Sequence, residues 1–102
     1  MEVILKKIKT TLHKVAPKAK IILFGSQARN ESHEGSDIDL MVILKQNSIT
    51  RQEEKNILSP LYAIEFETGK IISPIVITEK EWEKASRQTT FYHEVMKDGI
   101  LL

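Results

Sequence analysis

Asp37-Ile-Asp-Leu-Met-Val-Ile-Leu44 is the most strand-like stretch of this 102-residue chain, and its reading decides the fold. Side chains alternate across a β-strand, so Asp37 and Asp39 share one face. Ile38, Leu40 and Val42 take the other face, against helices. The stretch therefore carries a core surface and a pair of acids two residues apart.

Upstream, Lys20-Ile-Ile-Leu-Phe24 is a short apolar run stopped by Gly25, which reads as a second buried strand. Before it, Ile4, Ile8, Leu12 and Val15 recur close to the period of one helix face, and Pro17 ends that helix. Between the strands, Ser26 to Asn30 fits one or two helical turns capped by Ser26, and Asn30 to Ser36 is a polar loop. Downstream, 46–50 is a turn and Arg51 to Thr68 reads as helix. Its apolar side carries Ile57, Leu61 and Ile64, with Gly69 as its stop. Pro60 either kinks this helix or begins a new one. Lys70 to Thr78 is a third strand, and Pro74 puts it at an edge or gives it a bulge. Thr78 with Glu81 makes a capping box for the helix carrying Trp82. A last helix runs over 89–98 and ends at Gly99. Trp82, Phe91 and Tyr92 read as core aromatics, as do Tyr62 and Phe66. The order α-β-α-β-α-β-α-α predicts one domain over residues 1–102. Its class is α+β: a small mixed or antiparallel three-stranded sheet with helices packed on one side.

Composition sets the bounds. The net charge of +1 argues against a dedicated nucleic-acid binder, which carries a basic excess. There is no cysteine, so disulfides and thiolate metal sites are excluded. His13, His33 and His93 lack zinc-ligand spacing. The opening MEVILKKIKTTLHKV is interrupted by charge throughout, unlike a signal peptide, and no segment is apolar enough to span a membrane. The expected location is cytoplasmic.

The chemistry concentrates in Phe24-Gly-Ser-Gln-Ala-Arg29 and Ser36-Asp-Ile-Asp-Leu40. Gly25 lets backbone approach a ligand closely. Ser26 and the amides after it sit at a helix start, where N–H groups and the dipole favour an anion. Arg29 lies one turn on, and its planar fork suits the same anion. Mg²⁺ takes one or two carboxylates plus substrate phosphates. An anion cradle beside Asp37 and Asp39 is therefore what a metal–triphosphate complex needs.

Gly25-Ser26, ten intervening residues and Asp37-Ile-Asp39 resemble the signature of the DNA polymerase β-like nucleotidyltransferase superfamily, and by length its minimal nucleotidyltransferase branch. The resemblance is dense over 20–44. It implies a palm-like fold, and transfer of a nucleoside monophosphate, with AMP from ATP the expected case, to a hydroxyl of a protein or small molecule. It implies Mg²⁺ held by Asp37 and Asp39, with two ions roughly 4 Å apart clamping the attacking and leaving oxygens. Gly25, Ser26, Arg29 and Ser36 take the triphosphate side. It also implies a HEPN-type partner protein in a toxin–antitoxin pair; a domain this small has little room for an acceptor pocket of its own.

One departure stands out. The superfamily's fully active members carry a third carboxylate on the next strand. Here that strand is Lys70 to Thr78, with no Asp or Glu, and Ser73 or its neighbours fill the position. Glu65 or Glu67 are the candidate substitutes. A non-catalytic module that binds its partner through the same fold is the alternative reading. Plainer roles also exist for single residues: Arg29 pairing with Glu31 or Glu34, Ser36 as a loop cap, His33 as a surface residue.

Overall fold

The computed structural model describes residues 2–28, 37–85 and 89–102. In chain order the elements are α1 (Glu2–Val15), β1 (Lys20–Phe24), α2 (Gly25–Ala28), β2 (Ile38–Leu44) and α3 (Arg51–Thr68). They continue with β3 (Ile72–Thr78), α4 (Glu79–Ala85), α5 (Thr90–Asp98) and β4 (Ile100–Leu101).

The strands form one mixed sheet in the order β3-β2-β1-β4. β1 pairs antiparallel with β2, setting Phe24 opposite Asp39, and β2 pairs parallel with β3 through the α3 crossover. The α+β class and the mixed sheet are as the sequence reads, with two corrections. A fourth strand, β4, closes on β1. It is only two residues long, too short to leave a periodic signal.

The second correction concerns the helices, which cover both faces of the sheet rather than one. Ile38, Leu40, Val42 and Leu44 of β2, with Ile21 and Leu23 of β1, pack against Ile4, Ile8 and Leu12 of α1 and Ile57, Leu61 and Ile64 of α3. Met41 and Ile43 point the other way and pack with Trp82 of α4 and Val95 of α5. The unbroken apolar run 40–44 is the pattern of a strand buried on both sides. Fully burying each Leu or Ile contributes about 1.5–3 kcal/mol, so β2 is the strand around which the fold is organised.

Thr50 caps α3 in a reciprocal box with Glu53, and Gly69 ends it in the left-handed conformation at φ 74°. Pro60 neither divides nor ends the helix. Its missing N–H and ring cost about 3 kcal/mol. Ile57, Leu61 and Ile64, buried on both sides of it, hold the helix against the sheet. Tyr62 and Phe66 fall off this stripe and are 51% and 94% exposed, so neither is a core aromatic.

β3 is the edge strand that Pro74 predicts, and its outer row of amides is blunted. Ile38 N–H donates to the Ile71 carbonyl, so the backbone groups of the odd-numbered residues of β3 face β2. Of the outward set, Ile72 N–H donates to Glu65 Oε2 at 2.7 Å, Pro74 has no N–H, and Thr78 N–H donates to Glu81 Oε1 at 3.1 Å. Exposed edges invite pairing with other chains, and these three residues remove most of the template.

Two predictions follow from this edge. Glu65→Ala leaves the Ile72 amide without its acceptor and is expected to lower stability by about 1–3 kcal/mol in urea unfolding. The Thr78 amide, and after it the Thr78 hydroxyl, hold the Glu81 carboxyl below its ordinary value of 4.5. A carboxyl depressed in the folded state stabilises at neutral pH and loses that contribution as pH falls through its folded value. Stability measured below pH 4.5 should therefore fall less steeply in Glu81→Gln than in the parent chain.

Candidate functional site

The end of β1, the start of β2 and the start of β3 meet at one end of the sheet. Pairing Phe24 with Asp39 brings the turn at Gly25 beside the second acid. Gly25 has φ 74°, a left-handed backbone that side-chain-bearing residues rarely adopt. A Cβ placed there would overlap Asp39 Oδ2 and lie 3.2 Å from Asp39 Cγ. The Asp39 carboxylate thus points at the Gly25 backbone and fills the space that a side chain would need. Asp39 is partly buried and Asp37, just before β2, is exposed.

The two acids share the sheet face occupied farther along by Met41 and Ile43. β3 sets Ser73 in register with Asp39, on that same face. Ser73 Oγ donates to Asp37 Oδ2 at 3.2 Å. The hydroxyl therefore bridges from the edge strand to the first acid while standing alongside the second.

The structure also accounts for the two glutamates considered as a third carboxylate. Glu65 accepts the Ile72 amide, and Glu67 pairs with Lys7 at 2.7 Å. Both are thus engaged away from the acid pair. Among the described residues no group of three or more His, Cys, Asp or Glu is placed to hold a metal ion. The donor set that can meet a hard cation is the pair Asp37 and Asp39, a set that suits one Mg²⁺ completed by phosphate and water.

On the anion side the helical turn begins at Gly25, one residue before the cap that the sequence suggests, so Ser26 lies within the turn. Arg29, His33 and Ser36 lie outside the described residues.

A recess of about 180 Å³ opens beside Gly25, lined by Phe24, Phe91, Glu94 and Val95. Phe24 and Phe91 meet edge to face, 5.5 Å between centroids. The sequence reads Phe91 as a core aromatic and gives Glu94 no role, whereas Phe91 is 39% exposed. Their helical spacing gives no sign that the last helix returns to the end of β1. Another recess, about 280 Å³, lies at the far end of β2. Its acid is Glu53, held by Gln46 and the Thr50 cap, which keep its carboxyl below the ordinary 4.5. Nothing there resembles a reactive pair.

A family model described as polymerase beta, nucleotidyltransferase, matches residues 6–102. A relative from Methanocaldococcus jannaschii, named as a candidate protein adenylyltransferase, is 30% identical over 82 residues, spanning 79% of this chain and 75% of that protein. A toxin–antitoxin crystal structure with AMP-PNP superposes with a TM-score of 0.63 at 19% identity, over 94% of this chain and 69% of its own. The toxin–antitoxin MntA–HpeT, in a mutant with two aspartates changed to glutamate, gives 0.60 at 17% identity and the same coverage. A candidate nucleotidyltransferase from Sulfolobus solfataricus gives 0.52 at 19%, over 98% of this chain and 82% of its own. At these identities the structural likenesses show the fold alone.

Gly25→Ala tests the geometry directly. The left-handed backbone alone costs an L-residue about 1–2 kcal/mol, and the new methyl must also displace the Asp39 carboxylate. The expected outcome is a lowered melting temperature together with weakened divalent-cation binding by calorimetry. Gly69→Ala, with a similar φ but nothing within 4 Å of the added Cβ, should lose stability only.

Proposed function

Because the chain belongs to the polymerase β nucleotidyltransferase family, we propose that it binds a Mg²⁺–nucleoside triphosphate across the groove between the Gly25 turn and the Asp37–Asp39 pair, and transfers the nucleoside monophosphate to a hydroxyl group. One observation carries the reading: the Asp39 carboxylate packs against a side-chain-free, left-handed Gly25, so acid and anion-binding backbone converge at one point.

In this reading Asp37 and Asp39 hold Mg²⁺, which supplies charge neutralisation for the phosphates. The backbone at Gly25 and Ser26 faces the triphosphate, and Arg29 and Ser36 are the further residues we assign to it. The acceptor hydroxyl oxygen forms a bond to the α-phosphorus, the bond from that phosphorus to the bridging oxygen breaks, pyrophosphate leaves, and the hydroxyl proton passes to water. The chain's contribution is alignment and fixed charge, with no covalent intermediate. The relative named for adenylyl transfer to protein supports ATP as donor and a protein as acceptor. The toxin–antitoxin likenesses support a dedicated partner, for which a HEPN-type protein is our proposal.

A second reading is favoured by the neutral Ser73 beside the acids: a module that keeps the fold and works by binding its partner. Apolar side chains suited to contact are present. Phe66 and Val3 are 94% and 83% exposed, on helices that the Lys7–Glu67 pair ties together.

The chain, Mg²⁺ and α-labelled ATP added to extract of the source cells separate the two readings. Transfer predicts labelled protein and released pyrophosphate, both reduced about 100-fold or more in Asp39→Asn while its melting temperature holds. Unlabelled extract, with partner capture unchanged in Asp39→Asn, would establish the binding module instead.

A further inference from the structure

We propose that Ser73 makes this a one-ion site: with the triphosphate bound, the groove holds a single divalent cation rather than the pair that the family resemblance implies. The inference rests on the proposed nucleotide binding and concerns how that site is loaded.

Two divalent ions about 4 Å apart repel strongly and are held together by oxygen ligands that neutralise both. Here Asp37, just before β2, and Asp39 on it supply two carboxylates. The side of β3 that faces the groove reads Ser73 and Ile75, with Ile71 just before the strand, because residues in register with Asp39 and Met41 share their face. Ile71 and Ile75 are exposed and have no oxygen to offer from their side chains. Ser73 supplies a neutral hydroxyl, and its proton is directed at Asp37 Oδ2. A hydroxyl that donates to a carboxylate orients it and occupies one of its lone pairs, but adds no charge for a second ion. The acids behind β3 are engaged elsewhere, Glu65 with the Ile72 amide and Glu67 with Lys7. Among the described residues, Glu94 of α5, in the recess beside Gly25, is a further carboxylate near the acids, so the test includes it.

Ser73 is accordingly a positioning residue for Asp37, and its chemistry sets the ion count. The full chain, saturated with the imido analogue of ATP, is titrated with Mn²⁺, and bound ions are counted from the loss of the free-ion paramagnetic resonance signal. We expect one Mn²⁺ per chain in the parent, one in Ser73→Ala and in Glu94→Gln, and two in Ser73→Asp. Two ions on the parent chain would overturn the inference, whatever Ser73→Asp does. A second ion lost in Glu94→Gln would assign the missing ligand to α5. One ion on a Ser73→Asp chain with unchanged circular dichroism would also overturn it. Failure of the parent to bind the analogue at all would remove the proposed function and this inference together, whereas two ions on a chain that binds the analogue remove this inference alone.

Discussion

The antiparallel pairing of β1 with β2 is the constraint from which both the fold and the site follow. With Phe24 opposite Asp39, the acid-bearing face of β2 lies beside the turn at Gly25, and the other face meets α1 and α3. A slip of one residue would turn every β2 side chain over. Asp37 and Asp39 would be driven toward the packed face and Ile38, Leu40 and Val42 away from it. Burying unpaired carboxylates costs far more than the pairing returns, so the register is enforced from both sides. The acids thus help to specify the fold that positions them.

Gly25 adds a local condition to this long-range one. The turn needs a left-handed residue, and the approach of Asp39 needs one without Cβ. Glycine meets both at the cost of backbone entropy, which the pairing of β1 and the packing of Leu23 offset.

Much of this was legible in the sequence, for identifiable reasons. The strands at 20–24 and 38–44 announce themselves through composition and flanking breakers, and the capping box at Thr78 through spacing alone. The pairing of Asp37 and Asp39 on one face follows from a period of two. What was not legible depends on long-range packing. Nothing local says that Met41 and Ile43 will find Trp82 and Val95, which is why the second helical layer was missed. Pro60 looks like a break until the burial of its neighbours is known. Glu65 looks like a spare acid until the Ile72 amide is placed beside it. Phe91 and Glu94 needed the path of the last helix, which Ile100 and Leu101 fix by pairing with β1.

The edge strand shows how stability and chemistry compete for the same residues. Pro74 protects the outer edge of β3 at a position directly after Ser73, and Glu65 serves that edge rather than the groove. A carboxylate at position 73 would stand beside Asp39 and near Asp37, three negative charges at one corner of the sheet in the absence of any cation. At short range in a partly buried setting such like charges raise the cost of folding. A serine avoids the third charge and donates a hydrogen bond to Asp37, so the sheet closes without help from an ion. The same choice leaves the groove with less charge to attract cations. In this chain the balance lies with a sheet that closes without a third acid, and among the described residues two acids rather than three stand at its corner.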